Sequence, residues 1–175
     1  MVAALEAGCL HRQMRILITG IAGMLGRDLV RTSDDKRTLY GLGRSRAKFK
    51  QKHVKYFSCD LLNLKQIKRC VDKIQPDMVI HTAAMTRVDD CELKSHEAYR
   101  GNELATQFLV RALAASKPLL IHISTDYVFD GKNRSPYMES DLPRPVSVYG
   151  STKWQAEQVV QNSGLPWIIL RTAWL

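Results

Sequence analysis

Residues 15–26 read Arg15-Ile16-Leu17-Ile18-Thr19-Gly20-Ile21-Ala22-Gly23-Met24-Leu25-Gly26. Five residues dominated by β-branched and aliphatic side chains predict a short buried strand, and three glycines at intervals of three follow at once. From about Met24 to Thr32 the apolar positions Leu25, Leu29 and Val30 return at helical spacing. A strand, a glycine turn and a helix in that order form the context in which a backbone without Cβ atoms closes on a pyrophosphate at a helix N-terminus. The spacing is G-x-x-G-x-x-G rather than G-x-G-x-x-G, so the flanking strand and helix carry the reading.

Outward from this unit the same alternation repeats. Thr38 to Leu42 and Val54 to Ser58 read as the second and third strands. Asn63 then caps a helix with Leu64, Ile67, Val71 and Ile74 on one face, ended by Pro76. Met78 to Thr82 reads as the fourth strand, Ser95 to Ala115 as a helical region, and Leu119 to Ser124 as the fifth strand. Asp130 to Val148, with Gly131, Pro136, Pro143 and Pro145, reads as an irregular loop; a helix from about Val148 to Asn162 and a sixth strand, Trp167 to Leu170, complete the series. Alternating strands and helices predict an α/β fold, a Rossmann-like doubly wound parallel sheet in the order 3-2-1-4-5-6 with ligands at the carboxyl ends of the strands.

A chain of 175 residues, 45% hydrophobic and 25% charged, suits one globular domain, expected here over residues 14–175. Residues 1–13 are expected to be a disordered leader, because Glu6 and Arg12 interrupt any apolar core, and Met14 is an alternative start. After the sixth strand only a few residues remain, so a C-terminal lobe covering a substrate is expected to be missing. No apolar run approaches the ~20 residues that span a bilayer. Cys9, Cys59, Cys70 and Cys91 have neither metal-ligand nor disulfide-frame spacing, which points to reduced thiols in a cytoplasmic setting and to no metal. His81 and His122 fall in strands and are expected to be packed and hydrogen-bonded there.

The net charge of +9 is concentrated locally, in Arg31, Lys36, Arg37, Arg44, Arg46, Lys48, Lys50, Lys52 and Lys55. Aromatic platforms and binding motifs for nucleic acid do not accompany it. A phosphorylated cofactor explains it better. About 20 residues after a glycine turn, an NAD site places an acidic residue on the ribose. Here the stretch is Tyr40-Gly41-Leu42-Gly43-Arg44-Ser45-Arg46, where two guanidiniums can grip a 2′-phosphate and no carboxylate repels it. NADPH is therefore expected ahead of NADH, which stays the alternative. Asp60 and Leu61 are placed to reach the adenine, and Ala83 and Ala84 offer small side chains where the cofactor passes.

Tyr149 and Lys153 stand four apart at the start of a helix and so share a face. A free phenol titrates near 10, and lowering it to about 7 takes ~4 kcal/mol, which one cation at about 4 Å supplies at an effective dielectric of about 20. Lys153 is expected to make Tyr149 a usable acid, with the Thr125 hydroxyl completing the proton-donating group.

At this point the chain resembles the extended short-chain dehydrogenase/reductase superfamily, and within it the dTDP-4-dehydrorhamnose reductase family. The likeness runs from Met14 to Leu175 and rests on GIAGMLG, CDLLN (Cys59 to Asn63), HTAAMTRVDDCE (His81 to Glu92), STDYVFDG (Ser124 to Gly131) and VYGSTKWQAE (Val148 to Glu157). The resemblance implies Thr125, Tyr149 and Lys153 as catalytic residues, with Tyr149 and Lys153 also on the cofactor. It implies Gly20, Gly23, Met24, Leu25, Gly26, Thr86 and Asn102 around that cofactor, Asn102 supporting the lysine through water. Asp126 and Tyr127 are implied, with Thr125, to hold a nucleotide-sugar substrate. The implied reaction is reduction of the 4-keto group of a dTDP-4-keto-6-deoxy sugar by NADPH, giving dTDP-L-rhamnose, and a homodimer is compatible with the resemblance.

Two other readings stand beside it. Nucleotide-sugar dehydratases and epimerases share the fold and often carry Glu after Thr-Asp, a place held here by Tyr127. The regulatory beta subunit of methionine adenosyltransferase resembles the same reductases and works as a non-catalytic partner. Replacing Arg44 and Arg46 together by Ala is expected to weaken NADPH binding by ~2 to 4 kcal/mol; calorimetry showing equal affinities for NADPH and NADH in the parent chain would contradict the assignment.

Overall fold

The computed structural model describes residues 13–34, 36–44, 49 and 51–173. A single sheet runs β3-β2-β1-β4-β5-β6, every neighbouring pair parallel. The strands are β1 Arg15–Thr19, β2 Thr38–Gly43, β3 Val54–Ser58, β4 Met78–His81, β5 Leu119–Thr125 and β6 Trp167–Thr172. The helices are α1 Met24–Thr32, α2 Leu64–Ile74, α3 Val88–Leu93, α4 Ser95–Tyr99, α5 Ala105–Leu113 and α6 Val148–Gln161. This is the expected strand order.

Alternation along β1 sorts the core into two layers. Ile16 and Ile18 pack with Ile21, Val30 and Leu39 under α1. Leu17 turns to the other face, where Ile67, Val71 and Ile74 of α2, Leu109 and Leu113 of α5 and Val160 of α6 meet Leu42, Val79 and Leu120. Strands covered on both faces read as continuous apolar runs, which is why β1 and β5 were plain in the sequence. Asn63 caps α2 by accepting from Gln66 N at 3.1 Å, as expected. The helix closes at Gln75 in the left-handed conformation, φ 49°, just before Pro76.

The region after β4 departs from the expected single helix. Strand β4 ends at His81 rather than Thr82, whose Oγ1 donates to Thr19 O at 2.7 Å. A separate helix, α3, then forms where none was expected. The stretch 95–115 is three pieces, α4, a π-helical turn Arg100–Leu104 and α5. That wide turn accommodates Asn102, which is buried and bonded sideways rather than along the helix.

Two glycines set the approach of the layers. Gly20 has φ +68°, and a Cβ there would lie 2.8 Å from the backbone of Ala83, so the ends of β1 and β4 come together only without a side chain. A Cβ on Gly26 would lie 2.5 Å from Ile21 Cα and 2.6 Å from Gly20 O, which seats the first turn of α1 on the loop before it. Gly26→Ala is expected to cost about 1–3 kcal/mol through backbone displacement; urea unfolding with an unchanged midpoint would contradict this packing.

Candidate active site

The carboxyl ends of β1, β4, β5 and β6 open onto one cavity of about 420 Å³. Gly23, Met24, Leu25 and Gly26 line it from the glycine loop, and Thr82, Ala84, Thr86 and Val88 from the segment after β4. Ile123 to Tyr127 contribute from β5 and the turn beyond it, Tyr149 and Lys153 from α6, and Thr172 and Ala173 from the end of β6. Sequence reasoning did not single out Thr82, Val88, Ile123, Ser124, Thr172 or Ala173. Their signal was positional only, as residues at the carboxyl ends of strands.

Helix α6 begins at a strong cap, Ser147 Oγ accepting from Gly150 N at 3.0 Å. This fixes the first turn, so Tyr149 and Lys153 face the cavity together. The next element, a 3₁₀ turn Asp126–Val128, presses its Tyr127 carbonyl against Gly150, where any Cβ would collide. Tyr127 in turn sets its ring edge-on to Tyr149, with centroids 5.7 Å apart. Thr125 Oγ1 accepts from Tyr127 N at 3.2 Å, donates to Asp126 Oδ1 at 3.2 Å and lies in hydrogen-bonding contact with the Tyr149 phenol.

The electrostatics differ from expectation in one respect. Burial pushes the Tyr149 phenol above its ordinary value, Thr125 opposes the rise, and Cys91, Asp126 and Tyr127 add to it. Lys153 is not among the groups that act on the phenol. Its ammonium donates to Ile123 O at 2.6 Å and approaches His122 Nε2 at 3.5 Å, so it is committed to β5 rather than to its neighbour one turn back. Sharing a helix face places the two residues on one cavity without making them a pair. The lysine is itself pushed down to about 8 by burial, with Glu157 acting the other way.

Other expected residues stand off the cavity wall. Gly20 lies behind it, held by Gly20 N donating to Leu42 O at 2.9 Å; Arg44 follows on, exposed, just past β2. Arg46 lies outside the described residues. Asp60 is occupied as a turn former, accepting from Leu62 N at 3.0 Å, and neither it nor Leu61 reaches the cavity. Ala83 is turned toward Gly20. Asn102 is engaged by its neighbours: Met85 N donates to its Oδ1 at 2.7 Å, and its Nδ2 donates to Met85 O at 3.1 Å and to Thr152 Oγ1 at 3.0 Å. It clamps the loop after β4 to α6, and that loop carries Ala84 and Thr86 to the cavity.

Below the site lies a buried polar layer. His81 and His122 are register partners on β4 and β5 with ring centroids 5.3 Å apart. Thr106 Oγ1 donates to Asn102 O at 2.6 Å, so it accepts from His81 Nε2 at 3.0 Å, and His81 Nδ1 accepts from Thr19 Oγ1 at 2.6 Å. Burial, reinforced by the Lys153 charge, pushes His81 down to about 3 and His122 well down. Among the described residues no cluster of ligands for a metal ion occurs, and no helix is long and apolar enough to cross a membrane.

A six-stranded doubly wound sheet, a glycine loop entering α1 and a Thr, Tyr and Lys gathered at the strands' carboxyl ends define a Rossmann-like domain of the short-chain dehydrogenase/reductase type. The chain belongs to the RmlD substrate binding domain family, which matches residues 14–175. It is 33% identical to dTDP-4-dehydrorhamnose reductase from Aggregatibacter actinomycetemcomitans, over 91% of this chain and 51% of that protein. It is 36% identical to methionine adenosyltransferase 2 subunit beta from Rattus norvegicus, over 90% of this chain and 46% of that protein. The crystal structure of dTDP-4-dehydrorhamnose reductase from Bacillus anthracis in complex with NADP is similar with a TM-score of 0.82 at 32% identity, over 93% of this chain and 54% of that one. The chain thus spans about half the length of the relatives it matches.

Because His81 must stay neutral in the fold, its protons are taken up by the unfolded chain first as pH falls from about 6.5 toward 3. Stability is whole above that window and falls through it by about 1.4 kcal/mol per pH unit for each such histidine. Urea unfolding between pH 7 and 4 is expected to show a shallower slope in His81→Gln; identical slopes would contradict the neutral assignment.

Proposed function

We propose that the chain is the cofactor-binding half of an NADPH-dependent oxidoreductase that reduces the 4-keto group of a dTDP-4-keto-6-deoxy sugar. The observation that carries this reading is the meeting of the glycine loop, Thr125, Tyr149 and Lys153 on a single cavity. The names of relatives at a third identity over half their length support the substrate class.

The residues fit a nicotinamide dinucleotide. Helix α1 starts at Gly23 with no side-chain cap and no acidic residue in its first turn, which leaves the N–H groups at its N-terminus for an anion. The close contacts at Gly20 and Gly26 keep that loop free of side chains. Bound there, the cofactor supplies the hydride. Lys153, buried and charged below about pH 8, offers donors to ribose hydroxyls and a positive field to the substrate oxygen. Tyr149 gives its phenolic proton to that oxygen as negative charge develops on it, and Thr125 holds the phenol by hydrogen bond. A phenol raised by burial is protonated at the outset, as an acid must be.

The likeness to methionine adenosyltransferase 2 subunit beta favours a second reading, a binding subunit that retains the cavity and acts through a partner. The two separate on turnover. Loss of NADPH absorbance dependent on dTDP-4-keto-6-deoxy-L-mannose is expected for the enzyme, and cofactor binding without it for the subunit.

Tyr149→Phe is expected to lower kcat by about 10² to 10⁴ while leaving NADPH affinity close to that of the parent chain. Undiminished turnover would place the donor elsewhere.

A further inference from the structure

One buried group in this region has no part in the chemistry above. Glu157 lies on α6 one turn beyond Lys153, so that Tyr149, Lys153 and Glu157 form a stripe at intervals of four, and its side chain is 0% exposed. Both carboxylate oxygens are taken by strands. Ser124 Oγ of β5 donates to Oε1 at 2.5 Å; Arg171 of β6 donates from Nε to Oε1 at 3.0 Å and from Nη2 to Oε2 at 2.7 Å. The guanidinium also lies over the Phe129 ring, 5.1 Å from its centroid, and Phe129 stacks on Tyr137 at 4.2 Å.

A buried ion pair of this kind is weak evidence for stability, because well-packed apolar residues of the same volume often serve as well or better. Its placement gives it another use. The residues that Glu157 engages flank the carbonyl that receives the lysine: Ser124 follows Ile123 directly, and Ser124 is the register partner of Arg171. The fork of Arg171 ties α6 to β6 and the Ser124 bond ties it to β5. We propose that Glu157 is a positioning residue for Lys153: clamped by Ser124 and Arg171, it locks α6 to β5 and β6 so that the lysine ammonium arrives, charged, at the cavity wall beside Ile123.

Electrostatics agree with the geometry. Around the Lys153 amine stand His122 of β5 and His81 of β4, both neutral, with Tyr149 toward the cavity, Glu157 behind it and Arg171 of β6 beyond. Among the described residues, Glu157 is the carboxylate that acts on the lysine, favouring its charged form against burial. Two cations and one anion leave a net positive charge facing the cavity. Without the carboxylate, Lys153 and Arg171 would face each other uncompensated.

The inference rests on the reading of Lys153 as a cofactor-binding group, but its primary test does not require turnover. Lysine labelled with ¹³C at Cε is followed by NMR from pH 6 to 11 in the whole chain, the Lys153 signal being the one absent from Lys153→Met. The midpoint is expected near 8 in the parent chain. In Glu157→Gln it is expected to fall by about one pH unit or more, since an opposite charge at close range is removed. NADPH affinity at pH 8 then drops about fivefold, with little change at pH 6. The double variant Glu157→Gln, Arg171→Met removes the carboxylate and its guanidinium partner together, so neither is left buried without the other; its midpoint is expected below that of the parent chain, and it decides the question if the single variant does not fold. An unchanged Lys153 midpoint in a folded variant would overturn the proposal. A parent chain that fails to bind NADPH at any pH would remove the cofactor reading while the Lys153 midpoint still decides the clamp.

Discussion

An ammonium held at 3% exposure is the constraint around which the carboxyl-terminal half of this domain is arranged. A buried cation without partners is costly enough that the group would discharge. Lys153 meets that cost with the Ile123 carbonyl at 2.6 Å and the ring of His122, while Glu157 supplies the opposite charge one turn along the helix. Its field is one reason His81 and His122 are neutral, and neutrality is what lets two imidazoles lie side by side on adjacent strands. The tautomer of His81 then follows from Thr19 and Thr106. One charge thereby orders strands, helix and polar layer together.

The other half is governed by absence of side chains. Gly20 and Gly26 bring β4 and α1 onto the loop after β1, and Gly150 lets the Tyr127 carbonyl seat against α6. Bulk at any of these would separate layers whose meeting forms the cavity. Anion-attracting N–H groups therefore stand across the cavity from a buried lysine. A ligand carrying a phosphate at one end and hydroxyls at the other suits such a space.

Much of this was legible in the sequence for physical reasons. Buried parallel strands announce themselves as apolar runs, and the six strands fell within a few residues of their observed ends, in the expected order. Asn63 was legible as a cap and Pro76 as a stop. The region after β4 was not, because a π-helical turn and a one-residue break between short helices leave the apolar spacing of Leu104, Phe108 and Leu109 almost unchanged. The site was legible as a set of residues but not as a circuit. Helical spacing placed Tyr149 and Lys153 on one cavity, yet it could not show that the ammonium is committed to Ile123, since that partner is a backbone carbonyl on another element. The backbone partners of Asn102 and Asp60 were equally out of sight, since they too lie on other residues' main chain. Glu157 lay inside the VYGSTKWQAE motif, and only burial separates it from an ordinary surface glutamate.

The claim that this cavity is a nicotinamide dinucleotide site is tested most directly by following the chain's backbone amides and its ¹³Cε-labelled lysines by NMR as NADPH is added. The amides of Met24 to Gly26 and of Ala84 to Thr86 are expected to shift together with the Lys153 Cε signal, at one common affinity. Shifts confined to other surfaces, with the glycine loop and Lys153 unmoved, would contradict the account.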